Sequence, residues 1–540
     1  MNSTKDSLRF LSVSDIQGNI LALQDLYDNE IRKQNPIDFI IHTGNFGFWN
    51  HDTIDSYHDV QYLKQIVAFS EVLDKSTVHD LNDLSTVQTK NANPLDEINI
   101  FKQKLKDSKK GISQLDLYIN GQFKLPCPVY TIFGPLDDPQ IIDKFQSGEI
   151  QIPNLHLIDH TKCYEIPSPL ESQPGIKLYG LGGNLKIHSL FDNGNFHYNS
   201  ISGKIGDLWI TLLQIAELYI NFMNTGNKKT INIFMSHAPV IKTPLLEHLA
   251  ILTNADFTIS QGLHFRYPVM GNGMSFVDSM GGSAGYIENY RSKFSRLRMI
   301  LGEYWLAIKP DLSALLQETE ESERENVTKL IEMGLSLFDK IPISINDSID
   351  KIIPLTLDDS VPEDTGTSKK ILKKINDYYF SAYYNLWHFN LCDHVINSTE
   401  SDYNIMIFKL NKYGNFKLDY CNSQGFNFNF KLQDGYDENE EIDDDYEAEE
   451  VDSRHSFNAI EYSPKTGIKK AVIISNPKNE ENGDADENNE YDDEYNNEYM
   501  NEENDDENER RKRFALRGRR GRGRGRGRSF RGKPRGRGRP

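Results

Sequence analysis

Apolar residues along the first 240 positions fall in short runs, and each run ends in a polar turn. Phe10, Leu11 and Val13 make the first run, closed by Ser14-Asp15 and turned through Gly18-Asn19. A helical pattern follows, Ile20-Leu21-Ala22-Leu23. This predicts a buried strand that delivers a carboxylate to its C-terminal edge, then a helix. Ile37 to His42 repeats the pattern and ends in Thr43-Gly44-Asn45. Pro128 to Phe133, closed by Gly134-Pro135, repeats it again. Leu155 to Ile158, Lys177 to Tyr179 and Thr230 to Met235 read as further strands, the last ending in Ser236-His237. Strands alternating with helices predict an α/β fold, whose ligands gather at the C-terminal strand edge.

Helical periodicity is expected over 206–224, 286–308, 320–338 and 369–383. Residues 71–120 are polar, with Lys104, Lys106, Lys109 and Lys110, and read as a helical insertion. Residues 309–368 read as a second, largely irregular excursion. Closing antiparallel strands are expected at 403–410, 416–420 and 426–430. The aromatic stretch Tyr383 to Asn390 reads as core packing, with base stacking as the alternative. Beyond Gln433 periodicity fails, because Asp, Glu, Asn and Tyr cannot bury enough apolar area to offset chain entropy. One island, Ala471-Val-Ile-Ile-Ser475, could pair with a sheet edge.

Charge divides the 540 residues into three bodies. Residues 434–509 hold 29 acidic and 5 basic side chains, a net of −24, while 510–540 hold 16 basic and no acidic ones. The remainder carries −12 of the overall −20. The expected organisation is a domain over 1–432, an acidic disordered linker over 433–509 and a basic terminus over 510–540. Cys127, Cys163, Cys392 and Cys421 show no CxxC spacing, so packing thiols in a reducing compartment are expected. Residues 1–8 are polar, and the apolar run at Ile40 is too short to span a membrane. A soluble chain, cytoplasmic and/or nuclear, is expected, with no membrane contact.

The strand ends carry a series: Asp15-Ile-Gln-Gly-Asn19, then Gly44-Asn45, then Gly134-Pro-Leu-Asp-Asp138, then His237, then Gly262-Leu263-His264. This order and spacing resembles the calcineurin-like metallophosphoesterase superfamily, whose pattern is D-x-H-G-N, G-D, G-N-H-[ED], a lone His and G-H-x-H. The stretch around Tyr383 to Leu391 and the closing Gly425-Phe-Asn-Phe-Asn-Phe430 resemble a fungal branch of it. The resemblance implies a four-layer αββα sandwich of two mixed sheets. It also implies two metals that clamp a phosphoryl oxygen and activate a bridging water.

Position by position, the resemblance is ligand-depleted. Asp15 and His237 match metal ligands. Gln17 stands where the first His belongs, and Asn45 stands where the carboxylate bridging both metals belongs. Pro135 replaces the Asn ligand and Leu136 the proton-donating His. Leu263 replaces one His of the last motif, and His264 falls one position early for the other. Proline and leucine side chains offer no lone pair, so the second metal site is expected to be empty. Asp15, His264, Asn45 and His237 would form the donor set if one metal were retained (Mn, Fe or Zn). One carboxylate with imidazole and amides is a poor divalent site, so no cofactor is expected. Asp137 and Asp138 are candidate substitute acids. The survivors also admit structural roles: Asp15 as a helix cap, His237 as a satisfied core histidine, His264 as a partner of Asp15 without metal.

The terminus is an RG/RGG box: Arg517, Arg519, Arg520, Arg522, Arg524, Arg526, Arg528, Phe530, Arg531, Arg535, Arg537 and Arg539. Glycine keeps such a chain flexible, while guanidinium groups contact phosphates and stack on bases. RNA is the expected partner, and an arginine methyltransferase the expected modifying enzyme. Arg510-Arg-Lys-Arg513 also fits a nuclear-import signal. The acidic linker is expected to compete with RNA for this box. Three functions remain open. The first is a catalytically impaired phosphoesterase-fold protein that acts as an RNA-associated scaffold or regulator. The second is an active phosphoesterase with an atypical site around Asp15 and His264. The third is a ribonucleoprotein assembly factor that binds protein through its globule.

Overall fold

A computed structural model gives the architecture. It describes residues 7–472 except 59, 75, 82–93, 109, 171–172, 193–200, 205, 226–229, 265–267, 273–281, 343–350, 353, 359–366, 393–403, 422–458 and 463–468. Contact density divides the chain at Ser475. The expected strand at 426–430, most of the acidic linker and the RG/RGG box lie outside the described residues.

The chain opens β1 (Leu8–Val13), α1 (Leu21–Arg32), β2 (Phe39–His42), α2 (His51–Ser56), α3 (Val60–Phe69), α4 (Pro94–Lys106) and α5 (Leu115–Ile119). It continues β3 (Val129–Thr131), α6 (Pro139–Gln146), β4 (Leu155–Leu157), β5 (Tyr164–Ile166) and β6 (Gly175–Leu181). Next come β7 (Ser202–Lys204), β8 (Asp207–Trp209), α7 (Leu212–Asn224), β9 (Thr230–Ser236), α8 (Pro244–Leu252), β10 (Phe257–His264) and β11 (Val269–Asn272). The long helices α9 (Gly282–Glu318) and α10 (Glu321–Asp339) precede β12 (Lys351–Ile352), β13 (Thr367–Ser368) and α11 (Lys369–Asn385). The chain closes with β14 (Trp387–Cys392), β15 (Met406–Leu410), β16 (Phe416–Cys421), β17 (Ala459–Tyr462) and β18 (Lys469–Val472).

Two mixed sheets result. One has the order β18-β17-β16-β15-β1-β2-β3-β4, the other β11-β14-β10-β9-β6-β5. β1 to β4 run parallel, as do β6, β9, β10 and β14, with antiparallel neighbours at the margins. All six residues of β1 are buried, as a strand covered on both faces requires. Alternation sends Phe10, Phe39, Ile41 and Phe408 to one side, where they share a core with Ile233, Phe257, Ile259 and Phe389 of the other sheet. Phe389 and Phe408 meet edge-on across this core at 4.9 Å, and Phe257 stacks on Phe416 at 4.6 Å. The opposite side of β1 and β2 packs Leu11, Val13 and Ile40 against α1, α5 and α6. The second sheet turns Tyr179 and Phe234 toward α7, α8, α9, α10 and α11.

Several expectations are corrected. The insertion begins at His51 rather than 71, and it is not merely polar. Trp49, Tyr62, Ile66, Ile98, Phe101 and Ile112 give it a core of its own. The region from 309 is largely helical. α9 runs through Pro310, and Leu316, Ile331, Leu335 and Phe338 join the helical core. Packing of that apolar face outweighs the one backbone bond that proline removes. Residues 207–209 form β8 ahead of α7 rather than the start of one helix. Beyond 433 the described residues are the hairpin β17-β18, whose β17 pairs with β16 at the sheet edge, and β18 includes the start of the Ala471 island. Gly262-Leu263-His264 closes β10 itself, beside a register shift after Ser260.

Candidate functional site

Parallel strands in one sheet end together, so β1, β2 and β3 bring Asp15, Asn45 and Pro135-Leu136 to one edge. The loops after β1 and β2 are bonded to each other. Asp15 N donates to Gly44 O (3.2 Å), Gln17 N to Asn45 O (3.0 Å) and Gly18 N to Phe46 O (3.0 Å). The fit needs left-handed backbone at Asp15 (φ 56°), Gln17 (φ 45°) and Asn45 (φ 55°), a conformation that is costly outside glycine and persists where the surroundings over-determine it. Two glycines make room. A Cβ on Gly44 would lie 2.6 Å from His237 Nδ1, and one on Gly134 would lie 1.9 Å from Asn45 Oδ1.

The side chains at this edge are bonded to one another. Asn45 Nδ2 donates to Asp15 Oδ1 at 2.8 Å, and Ser14 Oγ donates to Asp15 Oδ2 at 2.6 Å. Asn45 Oδ1 accepts from Leu136 N at 3.2 Å. His237 Nδ1 lies 2.9 Å from Thr43 O, so it carries the proton. Burial lowers the His237 pKa, and the neighbouring Asp15 carboxylate and Thr43 carbonyl pull it back up. Deeper in the sheet, His42 Nδ1 lies 3.0 Å from Thr131 Oγ1. Burial, aided by His237, lowers its pKa to about 3. Both oxygens of the one carboxylate thus already accept hydrogen bonds, as does the Asn45 carbonyl. Gln17 Oε1 is buried without a partner. Beside a lone carboxylate it does not supply the charge that two divalent ions need. The described side chains do not fit a two-metal centre. Among the described residues no group of three His, Cys, Asp or Glu gathers to hold a metal ion. The side chains of Leu263 and His264 lie outside the described residues.

Asp15 does not cap a helix. The N-cap of α1 is Ile20, which has no capping side chain, and the Asp15 carboxylate bonds Asn45 and Ser14 instead. Asp137 and Asp138 are not exposed acids either. Asp137 accepts from Gly47 N (2.9 Å), Phe48 N (3.0 Å) and Gly134 N (2.7 Å). Burial raises its pKa to about 6 against the pull of those donors. Asp138 caps α6 through Gln140 N (2.9 Å) and accepts from Thr53 Oγ1 (2.6 Å) and Tyr57 OH (2.5 Å). Both carboxylates staple the loops after β2 and β3.

The insertion closes over this edge. Gln114 N donates to Gly18 O (2.9 Å), and its Oε1 accepts from Leu21 N (2.8 Å). Ser113 Oγ donates to Gly47 O (2.7 Å), and Glu71 N donates to Gln17 O (3.2 Å). A cleft of about 460 Å³ opens beside the plug, lined by Asn19, His51, Glu71, Lys110, Gln114 and Asp116 among others. Asp15, Asn45 and His237 do not line it.

A second polar cluster escaped the sequence reading. Glu247 on α8 is fully buried, and Lys293 Nζ from α9 pairs with its Oε2. His388 Nε2 from β14 lies 3.2 Å from Glu247 Oε1, and His388 Nδ1 lies 2.8 Å from Thr258 Oγ1 on β10. Lys293 Nζ also sits 5.7 Å from the Tyr383 ring centre. Its polar members, Glu247, Thr258, Lys293 and His388, come from four elements, and no spacing marks it. Tyr383, His388, Phe389 and Asn390 are buried, so the aromatic stretch is mostly core; Tyr384 is exposed. Cys127, Cys163 and Cys421 are free thiols, and burial pushes the Cys163 thiol up to about 11.

A family model described as "Protein of unknown function (DUF2433)" matches residues 267–431. None of the curated proteins matches the sequence. The crystal structure of TT1561 of Thermus thermophilus is similar at 13% identity, with 48% of this chain and 84% of that chain covered and a TM-score of 0.25. A second crystal structure is similar at 12% identity over 48% of this chain and 86% of that chain, again with a TM-score of 0.25. No helix among the described residues is long and apolar enough to cross a membrane.

Proposed function

We propose that residues 1–432 form a metallophosphoesterase-like αββα sandwich that has lost hydrolysis, and that the chain is an RNA-associated scaffold or regulator. The observation that carries the first half is the hydrogen bond from Asn45 Nδ2 to Asp15 Oδ1. An amide stands where the superfamily resemblance calls for the carboxylate bridging two cations, and it occupies the remaining acid. The plug of Ser113 and Gln114 supports the same reading by covering the edge from which a substrate would enter. Leu136 offers only its backbone N–H, and Asp137 and Asp138 are committed to stapling loops, so none of these three positions supplies a free acid to protonate a leaving group.

The second half rests on the tail. Arg517 to Arg539, interleaved with glycine and Phe530, gives sequence-tolerant, salt-sensitive contact with RNA phosphates and bases. Methylation of these arginines would keep the charge and block bidentate bonding.

Two measurements test the halves separately. Metal analysis of the purified chain is expected to give far less than one Mn, Fe or Zn per chain, with no phosphodiesterase activity. One tightly bound metal, with activity abolished by Asp15→Ala, would overturn the reading in favour of an atypical active site. Crosslinking to RNA in cells is expected to fall when residues 510–540 are removed; RNA yield at background in the intact chain would remove the RNA half.

A further inference from the structure

The α11 helix presents a surface that the tail-based reading leaves unused. Its inner face is buried through Asn376, Tyr379 and Tyr383. Phe294 of α9 meets Tyr379 and Tyr383 edge-on at 5.3 and 5.7 Å. That packing fixes which side of the helix faces solvent. Lys370, Lys373 and Lys374 are all exposed. So are Ile371, Ile375 and Tyr378, at 53%, 39% and 73%.

Helical spacing orders these residues. Lys370, Lys374 and Tyr378 follow one another at intervals of four, so they form one row with Cβ atoms about 5–6 Å apart. Ile371 and Ile375 run beside that row. Tyr384 is 52% exposed, and its backbone is held by a bond from Asn272 Nδ2 to its carbonyl (2.9 Å). Asp377 is the one acidic residue of α11 on this face, and three lysines outnumber it. An exposed apolar row would normally be buried or replaced by polar residues. Here it borders cations on a globule whose residues 1–433 carry a net −12, so the positive charge is local to this helix.

We infer that the solvent face of α11 is a second RNA contact, taking single-stranded RNA with phosphates along Lys370, Lys373 and Lys374 and an unpaired base on Tyr378. The inference rests on the RNA reading of the tail and goes beyond it by giving the globule its own contact. Lysine rows attract phosphates without sequence preference. An exposed tyrosine one turn further on supplies a flat face for a base, and the isoleucines give ribose and base edges an apolar floor. Single strands are favoured over duplex because stacking needs a base that is not already paired. Two weak contacts on one chain would raise avidity for one long RNA over either alone.

The test uses the full chain and a fluorescent single-stranded 30-mer, with 4-thiouridine substituted for photocrosslinking. RNA adducts are expected on α11 peptides as well as on 510–540. Lys370→Glu with Lys374→Glu should weaken binding about tenfold or more and make the log–log salt dependence shallower by ~1–2. Tyr378→Ala should weaken binding by about fivefold or more and leave the salt slope unchanged. All three residues are exposed, and circular dichroism with thermal unfolding checks that the variants fold. Adducts confined to 510–540, or variants that bind as the parent does, would overturn this inference and leave the tail reading standing; the face would then be assigned to an acidic protein partner. A full chain that yields no adducts and no binding would overturn both.

Discussion

The edge around Asp15 and the cluster around Glu247 are both buried and both built from side chains of several elements, yet they solve different problems. At the first, a carboxylate is bonded to a neutral amide and a hydroxyl. At the second, a carboxylate is bonded to a lysine and lies beside a histidine, with no solvent exposure of its own. The first cluster can exchange its acid for an isostere and stay paired. The second cannot, because Glu247 is fully buried and its loss removes both the ion pair to the partly exposed Lys293 and the contact with the buried His388. The site that looks chemical in the sequence is thus a single carboxylate held by uncharged partners, and the strongly ionic site is architectural. Lys293 and His388 both lie within residues 267–431, and they converge on a glutamate outside that stretch. Glu247 therefore ties α8 to α9 through Lys293 and to β14 through His388.

The largest way to break this contrast is Glu247→Gln. It is expected to cost about 2–3 kcal/mol, because the buried site gives up a charge-assisted bond to Lys293, whose partial exposure to water softens the loss. Asp15→Asn is expected to cost about 1–2 kcal/mol, since one hydrogen bond is exchanged rather than a charge orphaned. Chemical denaturation of the two variants decides the comparison. Equal losses would make the two sites energetically alike.

Acid should act next. His42 and His248 are fully buried, with pKa values lowered by burial to about 3 and about 4. Both stay neutral in the folded state while the unfolded chain takes up protons below about 6.5. Stability is therefore full above pH 6.5 and is lost as pH falls toward 4. The loss is about 2 kcal/mol per histidine by pH 5. Melting temperature against pH reads this, and His42→Gln should flatten the fall. A melting temperature independent of pH from 7 to 5 would show that these rings are not held neutral.

The smallest effect sharpens the functional side of the contrast. Asn45→Asp restores the carboxylate that the resemblance calls for, but it replaces an amide–carboxylate hydrogen bond with two carboxylates side by side. A loss of about 1 kcal/mol is expected near neutral pH, with no phosphodiesterase activity in added Mn, because Pro135 and Leu136 still supply no ligand or acid. Measurable metal-dependent hydrolysis in this variant would mean that one substitution, rather than several, silenced the site.

Some of the fold was legible because it is written locally. A run such as Phe10 to Val13 closed by Ser14-Asp15 says buried strand and edge carboxylate within ten residues. The predicted strands at 155–158, 177–179 and 230–235 were found at β4, β6 and β9 for the same reason. The excursions hide their cores because a few apolar residues are spread among many polar ones. Among the described residues, α4 contributes only Ile98, Phe101 and Leu105 as buried residues, but Tyr62, Leu63, Ile66 and Val67 of α3 complete the core with them. Pro310 inside α9 was likewise overruled by packing from distant helices.

Within the candidate site, sequence order alone brought Asp15, Gln17, Asn45, Pro135 and Leu136 to one edge, since parallel strands end where their neighbours end. It also fixed what those residues lack, because a proline side chain has no lone pair in any fold. Which atoms bond was decided only in three dimensions. That Asp15 turns to Asn45 instead of capping α1, that Asp137 and Asp138 staple loops, and that Gln114 reaches Gly18 across 96 positions depend on close approach between segments with no local signature. The Glu247 cluster was wholly tertiary: its four members span residues 247 to 388, and burial is what gives their charges weight.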